Sequence, residues 1–266
     1  MNELPPLSSR ARPTRRRMPG IRAVPMRLLI PNLVTLLALC LGMTAIRFAI
    51  EGSIEWAVSA IAAAAVLDGL DGRIARALKG TSRFGAELDS LVDFVDFGVA
   101  PGVVLYVSGL NEMKSLGWLA TLVFVIACAL RLARFNVSVD DPETPDWRKN
   151  FFVGMPAPAG AIVGLLPVYL HFLISDAGAA PRFVGLEMAY VVGVALLMAS
   201  RVPHFSGKSL GRVPHDYVAP VLIGLAAALL LTINFPFQSL VALSLAYLLT
   251  IPFSVRRYLA LSHQQG

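Results

Sequence analysis

Apolar residues run in blocks of roughly twenty along this chain, separated by short polar stretches that hold most of the charge. A helix rises 1.5 Å per residue, so about 20 mainly apolar residues cross the hydrocarbon core of a bilayer. Blocks of that kind fall at 31–50, 54–79, 85–107, 115–136, 157–175, 183–200, 217–233 and 237–254. The pattern predicts an all-α polytopic membrane protein with about eight transmembrane helices, the last two short and sharing a turn around Asn234 and Pro236. There is no internal repeat and no coiled-coil heptad.

Composition supports that reading. Apolar side chains make up 56% of the 266 residues and charged ones 15%, against about 25% charged in a soluble domain. Cys40 and Cys128 both lie in apolar blocks, so no disulfide framework or cysteine zinc site is expected. From Arg10 to Arg27 the chain carries seven arginines and no acid, interrupted by Pro13, Pro19 and Pro25. No cleavable apolar core follows at signal-peptide distance. Residues 1–26 therefore read as a cytoplasmic tail drawn to anionic lipid heads. The tail lacks interleaved aromatics, so no nucleic-acid partner is expected. With the N-terminus inside, only Arg47, Lys114 and Arg182 of the 23 Lys and Arg residues fall on the outer side, as the positive-inside rule requires. This places the protein in the cytoplasmic membrane.

The second and third blocks contain what a bilayer disfavours. Asp68, Asp71, Glu87, Asp89, Asp93 and Asp96 lie within them, and a carboxylate at the bilayer centre costs roughly 2.5–3.5 kcal/mol on insertion scales. On a helix, Asp68 and Asp71 lie about 60° apart, and Asp89 and Asp93 about 40°. Counted from the turn between the helices, both pairs sit at similar depth, about 12–16 Å in. An antiparallel hairpin thus brings four carboxylates face to face. Hard oxygen ligands of this kind suit Mg²⁺, Mn²⁺ or Ca²⁺, and two ions about 4 Å apart would clamp a phosphate. The plainer alternative pairs the acids with Arg73, Arg76 and Arg83, three cations for six acids. Gly69, Gly72, Ala75 and Gly85 leave room for a ligand or a second backbone.

The run Asp68-x2-Asp71-Gly72-x2-Ala75-Arg76-x8-Gly85-x3-Asp89-x3-Asp93 resembles the signature of the CDP-alcohol phosphotransferase family at every fixed position. The resemblance implies a helical bundle that moves a phosphatidyl-type group from a CDP-linked donor to an alcohol and releases CMP. It implies a divalent metal cofactor, Mg²⁺ or Mn²⁺, with two ions held by Asp68, Asp71, Asp89 and Asp93. Asp68, Asp71 and Asp89 would hold the first, and Asp68, Asp89 and Asp93 the second. Asp93 would also be the catalytic base. Asn32, Thr35, Gly72, Arg76 and Ser82 would bind CDP-diacylglycerol. A homodimer in contact with membrane lipids is likewise implied. The organisation expected is the tail at 1–26, the catalytic helices at 27–136 and the remaining helices of the same domain at 137–266.

Three further stretches are similar to the bacterial phosphatidylserine synthases of that family: GAELDSLVDFVDFGVAP (85–101), ALRLARFNV (129–137) and SRVPHFSGKSLGRVPHDYVAPVLI (200–223). They imply L-serine as the acceptor. Arg131 and Arg134, one turn apart, are candidates for its carboxylate, with Asn136 adding a hydrogen bond; positive-inside anchoring is the equal alternative for the two arginines. Glycerol 3-phosphate would also welcome two cations, so charge alone leaves both acceptors open. A divalent-cation transporter is the rival from another class, because intramembrane acids also mark ion pathways. His171, His204, His215 and His263 show no metal-ligand spacing and read as structural or interfacial. Asp96, where the family pattern leads one to expect a neutral polar residue, receives no role.

Overall fold

The computed structural model describes residues 26–139, 151–175, 183–205 and 230–264. The arginine-rich stretch as far as residue 25 and most of the predicted 217–233 segment lie outside them. Nine helices carry the described fold: α1 (Met26–Ile50), α2 (Ile54–Ala77), α3 (Arg83–Phe94), α4 (Ala100–Ser108), α5 (Ser115–Val139), α6 (Ala157–Gly164), α7 (Leu166–Ser175), α8 (Val184–Ala199) and α9 (Pro236–Gln264). The protein is an all-α membrane protein. Among the described residues, five spans are long and apolar enough to cross a bilayer: Leu29–Ile50, Arg83–Ser108, Ser115–Val137, Ala157–Ile174 and Pro236–Ala260. Two more of the eight expected segments are present as α2, which carries the acids, and as the 16-residue α8.

The surface is apolar in the way a lipid-facing surface must be. Leu33, Leu37, Met43, Leu119, Ile126, Leu196 and Leu249 are all exposed. Inside, α1 lies along α2, and the buried residues there are mostly small: Ala45, Ala49, Ala57, Ala60 and Ala64. Small side chains let backbones approach closely where lipid supplies no hydrophobic drive for helix pairing. A larger dry core, with Phe124, Met155, Leu165, Tyr169 and Met198 fully buried, joins α5 to α9.

The pattern of apolar blocks does not reveal three details. The predicted helix 85–107 is two α-helices joined through a π turn at Val95–Val99, where the Ala100 amide donates to the Val95 carbonyl five residues back. Pro101 explains the widening, since it has no amide to donate and its ring crowds the carbonyl four residues before it. The predicted helix 157–175 breaks at Leu165, two residues before Pro167. A two-stranded antiparallel ribbon, β1 (Phe151–Val153) against β2 (Pro203–Phe205), ties the chain before α6 to the chain after α8. Tyr190 on α8 donates from its hydroxyl to the Val163 carbonyl at 2.9 Å.

Candidate active site

The acidic hairpin is closed by local backbone chemistry. At the end of α2, the Gly80 amide donates to the Ala75 carbonyl and the Lys79 amide to the Arg76 carbonyl. This is a Schellman ending, with Lys79 in the left-handed position at φ +49° that glycine usually fills. Three residues later Ser82 caps α3, its Oγ accepting from the Gly85 amide at 3.0 Å. The reversal is tight, and it sets α3 back along the bundle.

Across this hairpin the ligand oxygens of Asp68, Asp71 and Asp89 all lie within 4.8 Å of one another. Asp93 lies beside Asp68, within hydrogen-bond reach of its carboxylate. Asp71 is buried and held from the side by Thr35 of α1, whose hydroxyl lies 2.8 Å from Asp71 Oδ2 and 3.1 Å from the Pro31 carbonyl. Arg73, Arg76 and Arg83 are exposed, and none forms an ion pair with these acids among the described residues. The arginine alternative therefore fails, and among the described residues none of the carboxylates has an ion-pair partner. Such a cluster persists when something positive binds to it, so the donor set fits the divalent metal of the resemblance.

A cavity of about 780 Å³ opens beside the cluster. Asn32, Thr35, Gly72, Arg76 and Ser82 all line it, together with Asp71, Asp89 and Asn136. These five come from α1, α2 and the connecting turn. At Gly85 a Cβ would stand 3.0 Å from Asn32 Oδ1 and 3.1 Å from Ser82 Oγ, so glycine there lets α1 and the cap close on the same corner.

The three acceptor candidates separate. Arg131 is buried at 8% exposure, makes no hydrogen bond among the described residues, and lies over the Phe135 ring at 5.4 Å. Its electrostatic neighbours include Asp93, Tyr247 and Asp68. Arg134 turns elsewhere, donating from Nη1 to the Ser200 carbonyl at 2.9 Å beyond the end of α8. Asn136 accepts from Ser90 Oγ at 3.1 Å on the wall of the cavity. Asp96 is wholly buried in the π turn, both oxygens without a hydrogen-bond partner among the described residues.

A family model described as CDP-alcohol phosphatidyltransferase matches residues 28–200. The chain belongs to this family. Relatives of this phosphatidyltransferase include proteins named CDP-diacylglycerol–serine O-phosphatidyltransferase in three bacteria. The Mycobacterium leprae protein is 45% identical over 216 residues, 79% of this chain and 69% of its own length. The Mycobacterium tuberculosis protein is 42% identical over 221 residues, 82% of this chain and 74% of its own. The Helicobacter pylori protein is 38% identical over 183 residues, 66% and 73% respectively. The hairpin signature is thus embedded in similarity that runs through most of the chain.

The CDP-alcohol phosphatidyltransferase signature does not reach two polar residues that the fold places on the far side of Arg131. Tyr247 on α9 is among Arg131's electrostatic neighbours, and His204 on β2 stacks on the Tyr247 ring, centroids 5.9 Å apart and planes at 11°. Neither has a spacing signal in the sequence, because Arg131 lies about 70 to 120 residues before them.

Proposed function

We propose that this protein transfers the phosphatidyl group of CDP-diacylglycerol to L-serine, giving phosphatidylserine and CMP. The observation that carries the proposal is the cluster of Asp68, Asp71 and Asp89, without an ion pair among the described residues, on the edge of a cavity whose other walls carry Asn32, Arg76 and Ser82. The names of the relatives supply the acceptor.

Asp68, Asp71, Asp89 and Asp93 would hold two divalent ions, Mg²⁺ or Mn²⁺, which would neutralise the acids and draw electron density from the phosphate oxygens. Around them the chain's own groups divide the work. Arg76 offers its guanidinium to the diphosphate, and Gly72 keeps the helix surface bare where the donor lies. Asn32, Thr35 and Ser82 border the same space, Ser82 with a hydroxyl proton to donate beyond its capping bond. Asp93 takes the proton of the serine hydroxyl as that oxygen attacks the phosphorus next to the lipid. The new O–P bond forms as the diphosphate P–O bond opposite breaks, and CMP leaves with its electron pair. Buried Arg131 receives the serine carboxylate, while Arg134 holds the chain after α8 in place.

The donor's acyl tails stay in lipid, and the site opens toward the cytoplasm of a cytoplasmic membrane, where serine is dissolved. The N-terminus lies on the same side, as the lysine and arginine distribution supports. The pairing into a homodimer rests on the family resemblance alone.

The test is CMP release by detergent-purified protein given CDP-diacylglycerol and Mn²⁺ or Mg²⁺, with serine, glycerol 3-phosphate, inositol phosphate and choline offered separately. Release with serine alone supports the proposal. Release with glycerol 3-phosphate alone keeps the chemistry and overturns the acceptor. Silence with every alcohol from folded, metal-loaded protein overturns the enzyme class and favours a cation transporter.

A further inference from the structure

Buried polar groups that lack partners are uncommon in folded proteins and cost roughly 1–3 kcal/mol each. Among the described residues they include Asp96, Ser254 and a pair, Tyr247 and His204, that neighbours Arg131. Arg131 on α5 is itself 8% exposed, with Asp93 and Tyr247 among its electrostatic neighbours. The Tyr247 hydroxyl on α9 is buried without a hydrogen-bond partner among them, and so is Nε2 of His204 on β2, a residue 2% exposed. Three elements distant in sequence therefore present one cation, one hydroxyl and one ring nitrogen. Arg131 links the group to Asp93 through its electrostatic contacts, and the ring stack links Tyr247 to His204.

The protonation of His204 follows from its surroundings. Its Nδ1 lies 2.8 Å from the Val202 carbonyl and so must donate. Burial holds the imidazole below the ordinary histidine range, against the Val202 bond, which favours the charged ring. A neutral ring with its proton on Nδ1 leaves Nε2 as an acceptor.

A zwitterionic amino alcohol needs donors for its carboxylate, an acceptor for its ammonium and a base for its hydroxyl. We propose that Tyr247 and His204 complete the acceptor subsite begun by Arg131, the Tyr247 hydroxyl donating to the carboxylate of serine and His204 Nε2 accepting from its ammonium. This rests on the serine reading and deepens it. The same arrangement discriminates against glycerol 3-phosphate, which has no ammonium to satisfy Nε2, and a site built for a hydrogen bond rejects ligands that leave it unmade.

The experiment measures serine and CDP-diacylglycerol KM for wild type, Tyr247→Phe, His204→Leu and His204→Gln. Ethanolamine, which lacks the carboxylate, and 3-hydroxypropionate, which lacks the ammonium, are then titrated as inhibitors competing with serine. Tyr247→Phe is expected to raise the serine KM about tenfold, the size of a lost bond to a charged group, with kcat and donor KM nearly unchanged. Ethanolamine inhibition should survive that substitution while 3-hydroxypropionate inhibition weakens. His204→Leu should give the opposite pattern, and His204→Gln, which restores an acceptor oxygen, should recover part of the loss. Serine KM unchanged in both Tyr247→Phe and His204→Leu would overturn the subsite, as would equal rises in donor and serine KM. Wild type that releases no CMP with serine overturns the serine reading itself, a result seen before any variant is compared.

Discussion

The two walls of the site are built in opposite ways. The donor wall comes from one continuous stretch, Asp68 to Asp93, closed by a Schellman ending and a serine cap and braced by α1 through Thr35 and Asn32. The acceptor wall is assembled from single residues on α5, α9 and β2. The first concentrates charge beside an open cavity. The second buries a few polar atoms singly, without hydrogen-bond partners among the described residues. The comparison suggests how one scaffold keeps its phosphoryl chemistry while its choice of alcohol is set elsewhere: the chemistry resides in a local motif, and the selectivity in long-range packing.

Substitutions on the two walls should therefore fail differently. Asp93→Asn removes the proposed base and should lower kcat by about 10²–10⁴-fold, with donor KM little changed; steady-state CMP release checks this. A kcat loss under tenfold would remove Asp93 from that role. Thr35→Val keeps the shape of α1 but deletes the bond to Asp71, and groups that orient metal ligands are typically worth 10–100-fold in affinity. The Mn²⁺ concentration for half-maximal activity should rise about tenfold at constant serine KM. A change confined to serine KM would place Thr35 on the other wall.

What could be read from the sequence follows the same division. The eight fixed motif residues announced the hairpin because helical spacing converts 26 positions into one face and one depth. Asn32, Thr35 and Ser82 were legible through the family resemblance, and the cavity contains all three. Arg131 and Arg134 were indistinguishable by spacing, because only tertiary packing buries one and sends the other to the Ser200 carbonyl. Tyr247 carried no local signal, and His204 only its place in the 200–223 stretch that resembles the synthases. The π turn was equally silent: Pro101 hints at a disturbance, but apolar periodicity cannot report one extra residue in a turn. It matters nonetheless, since it is where Asp96 is buried against α1.

Smaller effects sharpen the contrast in stability. A Cβ on Gly42 would overlap Asp96 Oδ1, so Gly42→Ala should force α1 away from the π turn. Overpacking of this kind costs about 1–3 kcal/mol, read as a lower midpoint of thermal inactivation in detergent; an unchanged midpoint would show that Asp96 can move aside. Lys79→Gly should act the other way. Relief of the left-handed strain at φ +49° outweighs glycine's extra chain entropy by a few tenths to about 1 kcal/mol. A midpoint that falls would show that the lysine side chain itself supports the turn.

The central claim is that both walls serve one direct displacement, with Asp93 activating the alcohol and no covalent phosphatidyl-enzyme between. The most direct measurement is the configuration at phosphorus after turnover of CDP-diacylglycerol made chiral with sulfur and oxygen-18 at the lipid-side phosphate. A single in-line attack by the serine hydroxyl predicts inversion. Retention would mean two displacements through an enzyme nucleophile, and would contradict direct activation of the alcohol by Asp93.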